Sequence, residues 1–557
     1  MIVKNNILFL FVIVTLIGCG RSNDDNYRVS EYSEYSIMKN MESKRARREN
    51  YKRKLDQERE SLRKQSEIKL SSTSVMSSET TSYGEAFVSQ DKFISLQRNG
   101  IKQTTTSPVS IFSIDVDTAA FSYIRQSIVN GEMPSSDVVR IEEMINYFDY
   151  DYSVADDNSE FSVTTEIATS PWNKDSLLLQ IGLKGQEPAL NTRPDANLIF
   201  LIDVSGSMEG DDRLGLIKKG LHQMVKQLTA QDRVSVIVYA GQTTLLLDGV
   251  PGDKKAQISS VINKLVAEGS TNGGSGIYLA YKAARQNLIK NGINRVIIAT
   301  DGDFNIGTVD HQTLIDMVKR EAKSGVQLSV LGVGKGNFND ATMEQLADQG
   351  NGNYAYLDTV KEAHRVLGRN MLSTLLTVAR DVKIQVEFNP SQVAEYRLIG
   401  YENRELAQED FNNDKADAGE LGAGHTVTAL YEITLNDSKG KRIGPLRYQT
   451  KVKTDVKEDE LAYVKVRYKP ADKNKSILKS YAVKKTEIKN LNKATHNLKF
   501  AAAVASFGQL LRQSKYSQSI SYDDVINLVK QSKGNDEHGE RAEFLAIVEM
   551  AEKIELH

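Results

Sequence analysis

The chain has 557 residues, of which 40% are hydrophobic and 26% charged, and its formal net charge is −2. That length is too great for one ordinary core and implies two to four domains. The near-neutral balance gives no overall pull toward nucleic acid, and a single cysteine leaves no disulfide framework.

Residues 1–19, "MIVKNNILFLFVIVTLIGC", combine one early lysine, an apolar run from Ile7 to Ile17 and a small residue before Cys19. This is the pattern of a secretory signal, too short for a membrane span. Leu16-Ile17-Gly18-Cys19 resembles a bacterial lipobox, which implies that Cys19 is lipidated and becomes the first mature residue. "GRSNDD" follows, with no aspartate beside the cysteine. By resemblance that favours the outer membrane, and Asp24-Asp25 hints at export to the surface.

Residues 20–108 read as a tether. The stretch 44–69 is dense in Lys, Arg and Glu, and Ser/Thr-rich text follows, with too few apolar groups to offset the entropy of ordering. Order is expected from residue 109. In 109–155 a short strand leads into two helical stretches, with Val139, Ile141, Met144, Ile145 and Phe148 at helical spacing. The alternating, β-branched text of 156–195 predicts two antiparallel strands, which cannot bury a core alone. Comparable text returns only in 379–470. The expectation is one β-sandwich built from both sides, with 196–378 inserted between its strands and a helical region over 471–557. Trp172, the sole tryptophan, is expected in the core.

The insert alternates near-continuous apolar strands ("NLIFLID", "RVSVIVYA", "RVIIATD", "VQLSVLGVG", "NYAYLD") with amphipathic helices, the last running to about Leu376. This predicts an α/β fold with a doubly wound, mostly parallel sheet covered on both faces. In such sheets ligands sit beyond the carboxyl ends of the strands, at the switch in strand order. Three loops should meet there. "DVSGSMEG" supplies Asp203, Ser205 and Ser207, "AEGSTNGGSGI" supplies Thr271, and "IIATDGDFNIG" supplies Asp301. Two carboxylates and three hydroxyls form an all-oxygen set, which selects a hard divalent cation over zinc or copper.

At these residues the sequence resembles the metal-ion-dependent adhesion site (MIDAS) of von Willebrand factor type A (VWA) domains, a Rossmann-like fold. The resemblance implies that Ser205, Ser207 and Thr271 bind the ion directly, while Asp203 and Asp301 act mainly through water or as outer acceptors. It implies Mg²⁺, with Mn²⁺ or Ca²⁺ possible, and a protein partner that offers an acidic side chain to the ion. "SIDVDTAAFSYIR" through "INYFDYDY" and the C-terminal "LAYVKVRYKPAD" with its helical tail resemble the flanks of bacterial VWA lipoproteins, whose C-terminal domain has no known function.

Other chemistries fit less well. "DGDFNIG" lacks the glycine and acid of a calcium loop, because Ile306 and Gln312 stand at those positions. The glycines of "STNGGSGI" lack the Gly-Lys-Ser/Thr ending of a P-loop. The histidines show no metal spacing, and no nucleophile elbow is present. Asp115 and Asp117 lack the residue pattern of aspartyl-phosphate hydrolases, and a turn or interface role is expected of them. The overall expectation is therefore a binding protein and not an enzyme: lipid-anchored in the envelope, with Glu209 and Asp211 tuning the metal face. The rival readings are a metal-dependent hydrolase with Asp303 as base and an envelope component with a purely structural ion.

Overall fold

The computed structural model describes residues 91–556 apart from 94, 96, 156–158, 188–192, 270–273, 303–310, 337–338, 445–458 and 518. Cys19, Thr271 and Asp303 lie outside the described residues, as does the basic stretch 44–69.

Two antiparallel sheets form the sandwich. One contains β1 (Lys102–Gln103), β3 (Phe161–Thr169), β4 (Leu177–Gly185), β12 (Val393–Ile399) and β14 (Thr426–Leu435), in the order β1-β12-β14-β4-β3. The other contains β2 (Val109–Ser113), β11 (Thr377–Phe388), β13 (Gly419–Gly422), β15 (Glu460–Pro470) and β16 (Ile477–Lys484). Its order is β13-β11-β15-β16, with β2 also on β11. Strands from both sides of the insert thus share each sheet. Leu179, Ile181 and Leu183 of β4 alternate with outward residues and meet Ile384, Val386 and Val464 in one core.

Between β4 and β11 in the chain lies a six-stranded sheet: β5 (Ala196–Asp203), β6 (Arg233–Tyr239), β7 (Thr243–Pro251), β8 (Ile293–Thr300), β9 (Gln327–Val333) and β10 (Tyr354–Leu357). Its order is β10-β9-β8-β5-β6-β7, and every pair is parallel except β6 with β7. All eight residues of β5 are buried. Leu198, Phe200 and Ile202 pack on one face, and Ile199 and Leu201 on the other. The two-residue period thus needs helices on both sides of the sheet. The helices Leu214–Gln227 and Lys255–Asn263 cover one face; Gly274–Gln286, His311–Lys323 and Asp340–Gln349 cover the other.

The C-terminal helices share a core with the N-terminal region. The helix His496–Leu511 is alanine-rich and buried nearly all round, so it suits a central position. Phe148 lies 4.9 Å from Phe500 and 5.4 Å from Phe544, ring centre to ring centre. Trp172 is buried in this cluster, as expected. Among the described residues no helix is long and apolar enough to cross a membrane.

Three expectations need correction. The tether ends earlier than residue 108, because β1 pairs with β12 and Thr104 is fully buried, its N–H bonded to the Ala394 carbonyl at 3.1 Å. Edge pairing through the main chain holds this polar text, and composition does not register such bonds. The sandwich continues past 470, since β16 pairs with β15; its Ile477 and Leu478 are exposed, so no alternation of buried and exposed positions marks the strand. The last helix of the insert is broken into Val360–His364, a π-helical turn at Arg365–Arg369 and Met371–Leu375.

Asp115 and Asp117 serve an interface, as expected. The Asp117 carboxylate accepts the Tyr354 N–H of β10 at 2.7 Å, and Arg404 reaches Asp115 and Asp117 at 3.2 Å each. Arg404 also meets Asp348 at 2.7 Å. One guanidinium therefore joins the N-terminal region, the sandwich and the inserted domain.

Candidate metal centre

β5 has β8 on one side and β6 on the other, so its carboxyl end is the switch point of the sheet. Asp203 is the last residue of β5 and Thr300 the last of β8, which sets Asp301 beside Asp203. The first loop turns at once into a short 3-10 helix, Gly206–Met208, with Met208 buried as a plug. The turn presents Ser205 and Ser207 on one side, their hydroxyl oxygens 3.0 Å apart.

The Asp203 carboxylate is fully buried. It accepts the Ser205 N–H at 2.8 Å on Oδ1 and the Thr300 hydroxyl at 3.1 Å on Oδ2. Burial, assisted by the neighbouring charge of Asp301, pushes its pKa up to about 6 against the pull of these hydrogen bonds. Asp301 is 4% exposed. The second loop runs alongside the first: Glu268 donates its N–H to the Val204 carbonyl at 2.7 Å, and Gly206 donates to Gly269 at 3.0 Å. The chain leaves the described residues just after Gly269, so the expected ligand Thr271 has no described position.

Sequence reasoning missed Arg213 and the supporting role of Thr300. Thr300 was visible as the first letter of T-D-G. Arg213 precedes the helix Leu214–Gln227, and only three-dimensional placement reveals its function. Its guanidinium lies 4.0 Å from the Asp301 carboxylate, donates to the Ser207 carbonyl and donates to the Lys335 carbonyl at 2.9 Å. Glu209 and Asp211 are exposed at the rim.

Among the described residues there is no cluster of three or more His, Cys, Asp or Glu suited to a metal; the donors here are two carboxylates and two hydroxyls. Their geometry fits a small hard cation. The Ser205 and Ser207 hydroxyls share a hydrogen bond at 3.0 Å, a separation that adjacent vertices of an octahedron with ligands at about 2.1 Å would also have. Two carboxylates opposed by one guanidinium leave the group a modest negative charge.

A doubly wound sheet with this serine-rich turn at its switch point is the arrangement of a von Willebrand factor type A domain, and residues 197–368 match the family model of that name. Residues 87–180 match a model described as von Willebrand factor, and residues 373–554 match "Uncharacterized protein YfbK, C-terminal". The chain belongs to the family of the protein described as "Uncharacterized protein YfbK" of Escherichia coli (strain K12), with 43% identity over 465 residues spanning 82% of this chain and 80% of that one. It is also 26% identical over 196 residues to "Uncharacterized protein sll0103" of Synechocystis sp., covering 35% of this chain and 45% of the other. Among solved structures, a von Willebrand factor type A protein from Catenulispora acidiphila aligns over 69% of this chain and 89% of its own, with a TM-score of 0.40 and 13% identity. VWA domains are generally non-enzymatic interaction modules that commonly bind a divalent metal at a MIDAS. The family thus points to a role in protein interaction or adhesion.

Proposed function

We propose that this chain is a lipid-anchored envelope protein that captures a protein partner through a divalent cation held at the MIDAS of its inserted domain. The observation that carries the reading is the Ser205–Ser207 hydroxyl pair beside buried Asp203 and Asp301 at the switch point of the sheet. Ser205 and Ser207 would hold the ion directly, Thr271 would complete the hydroxyl set, and Asp203 and Asp301 would orient these groups and accept from bound water. The ion, Mg²⁺ or else Mn²⁺ or Ca²⁺, would supply an electrophilic position for a partner's acidic side chain. Thr300 and the Ser205 N–H fix the Asp203 carboxylate, and Arg213 limits the negative charge of the site. Exposed Glu209 and Asp211 stand where a partner would pass, so they would help select it. Cys19 would carry the lipid, with the tether spanning from the membrane, and we place the protein at the outer membrane.

The test is affinity recovery of the full chain from envelope extracts. Partners should be retained with Mg²⁺ and released by EDTA, and an Asp203→Ala/Ser205→Ala variant should lose them. Retention of the same partners by that variant would refute the proposal. Loss of thermal stability in the variant with recovery unchanged would mean that the ion is structural only.

A further inference from the structure

The seam between the sandwich and the C-terminal helices carries a groove that the metal chemistry does not use. A cavity of about 990 Å³ is lined by Trp172, Lys439, Lys441, Arg442, Lys515 and Tyr516, among others. A narrower one of about 330 Å³ shares Lys515 and Tyr516 with it and adds Arg98, Arg397 and Arg512. Among the described residues the only carboxylate lining either cavity is Glu402, and it is committed to Arg512 at 2.6 Å. Arg397 is committed to Glu432 behind the wall at 2.9 Å. Among the described residues Lys439, Lys441, Arg442 and Lys515 have no carboxylate partner at ion-pair distance. Four cations thus gather on one rim with no described carboxylate at ion-pair distance, and an incoming anion lowers their mutual repulsion.

The rim is also built and held. Buried Glu395 accepts the main-chain N–H groups of Arg442 at 3.0 Å and Ile443 at 2.6 Å, which fixes the loop that carries Lys439, Lys441 and Arg442. Tyr516 stands where the two cavities meet, with the Arg397 guanidinium 4.4 Å and the Arg442 guanidinium 5.3 Å from its ring centre. Each cavity also has a donor-bearing wall. The Trp172 indole N–H and the Gln509 amide nitrogen are buried and have no hydrogen-bond acceptor among the described residues, on residues 3% and 1% exposed. Buried donors without acceptors are uncommon in native proteins. Here they lie behind a one-sided set of cations, whose charge an oxygen-rich anion would offset.

We propose that this seam is a binding site for a phosphate-bearing polyanion, separate from the metal centre. Phosphate groups match the cations in charge and acceptor number, and the aromatic walls of Trp172 and Tyr516 suit an organic body attached to them. The phosphate can belong to a soluble ester or to a lipid headgroup.

Trp172 is the only tryptophan, so its emission reports on the groove. The full chain is titrated in EDTA, which keeps metal-bridged phosphate out of the signal, with sodium tripolyphosphate, with phosphatidylcholine vesicles containing one third phosphatidylglycerol, and with pure phosphatidylcholine vesicles. The expected result is a saturable change in emission with an anionic probe, weakened by salt and absent with pure phosphatidylcholine. A response to tripolyphosphate assigns the site to free phosphate groups, and a response to phosphatidylglycerol vesicles alone assigns it to the lipid headgroup. Arg442→Gln/Lys515→Gln should bind roughly tenfold more weakly. Lys439→Gln/Lys441→Gln, on an exposed loop, should weaken binding in the same direction with an unchanged melting profile, which guards against misfolding of the first pair. No saturable response to either anionic probe, or responses unchanged in both variants, would overturn the proposal.

Discussion

Arg404 offers the most direct trial of how the chain is held together. Its guanidinium is 12% exposed and reaches Asp115 and Asp117 at 3.2 Å, Asp348 at 2.7 Å and Glu344 at 3.8 Å. Arg404→Met removes the cation and leaves buried carboxylates facing one another. Breaking one partner out of a buried ion pair costs about 3–5 kcal/mol, and with this many anions the upper half of that range is expected. For a domain the size of the inserted one, that lowers the melting temperature by roughly 8–20 °C. The pH dependence has a definite sign. Burial first, then Asp115, pushes the Asp117 carboxyl well above its usual range, against the pull of Arg404. A raised carboxyl contributes stability that is fully present below its unfolded pKa and is lost as pH rises through the folded one. Removing Arg404 raises it further and also raises Glu344, whose carboxyl burial already lifts to about 7 against the pull of Arg140 and then Arg404, so the deficit of the variant must grow from about pH 5 to about pH 8. Scanning calorimetry at both values reads this out. A deficit within about 1 kcal/mol of zero at the higher pH, or one larger at the lower pH, would refute the reasoning.

Two further predictions concern the metal centre. In metal-free protein the Asp203 carboxyl, raised to about 6, contributes stability at low pH that is lost as pH climbs through that value. Asp203→Asn should therefore be more stable than the parent in EDTA at about pH 8 by about 1–3 kcal/mol, and Mg²⁺ should raise the melting temperature of the parent alone. Thermal shift in EDTA and in Mg²⁺ checks both, and stabilisation of the variant by Mg²⁺ would contradict the ligand assignment. At Gly334 the backbone has φ +72°, and a Cβ there would sit 2.4 Å from the Arg213 Nε and 3.0 Å from its Cδ. Gly334→Ala should cost about 1 kcal/mol in backbone strain and displace the guanidinium from Ser207 and Lys335. Titration with Mn²⁺ should then show a changed affinity; an unchanged one would mean that Arg213 does not act on the centre.

Legibility differed by the kind of interaction. Strands such as "NLIFLID" are apolar on both faces, and burial writes itself into composition, so the doubly wound sheet and its switch point could be read directly. Asp203, Ser205, Ser207 and Asp301 could be read as one group because the apolar pattern marks their strand ends, which are neighbours in the sheet. β1 and β16 were not legible, because these edge strands are held by main-chain hydrogen bonds and show no alternation of buried and exposed residues. Arg213 escaped notice for a related reason. An arginine before a helix is ordinary, and only the fold brings Asp301, 88 positions later in the chain, within 4.0 Å of it.

The insertion has a consequence for how the chain comes to be folded. The Ser176 hydroxyl bonds the Glu432 carboxylate across 256 positions of sequence, and β4 finds its partner β14 only when that second segment arrives. During synthesis or export the strands β3 and β4 emerge early and must wait with an open edge while the whole inserted domain passes. That domain has its own parallel sheet and can condense first, and in doing so it draws the two halves of the sandwich together. The inserted domain is therefore also the clasp on which closure of its host depends, and a lesion that slows its folding should expose β4 to pairing with other chains.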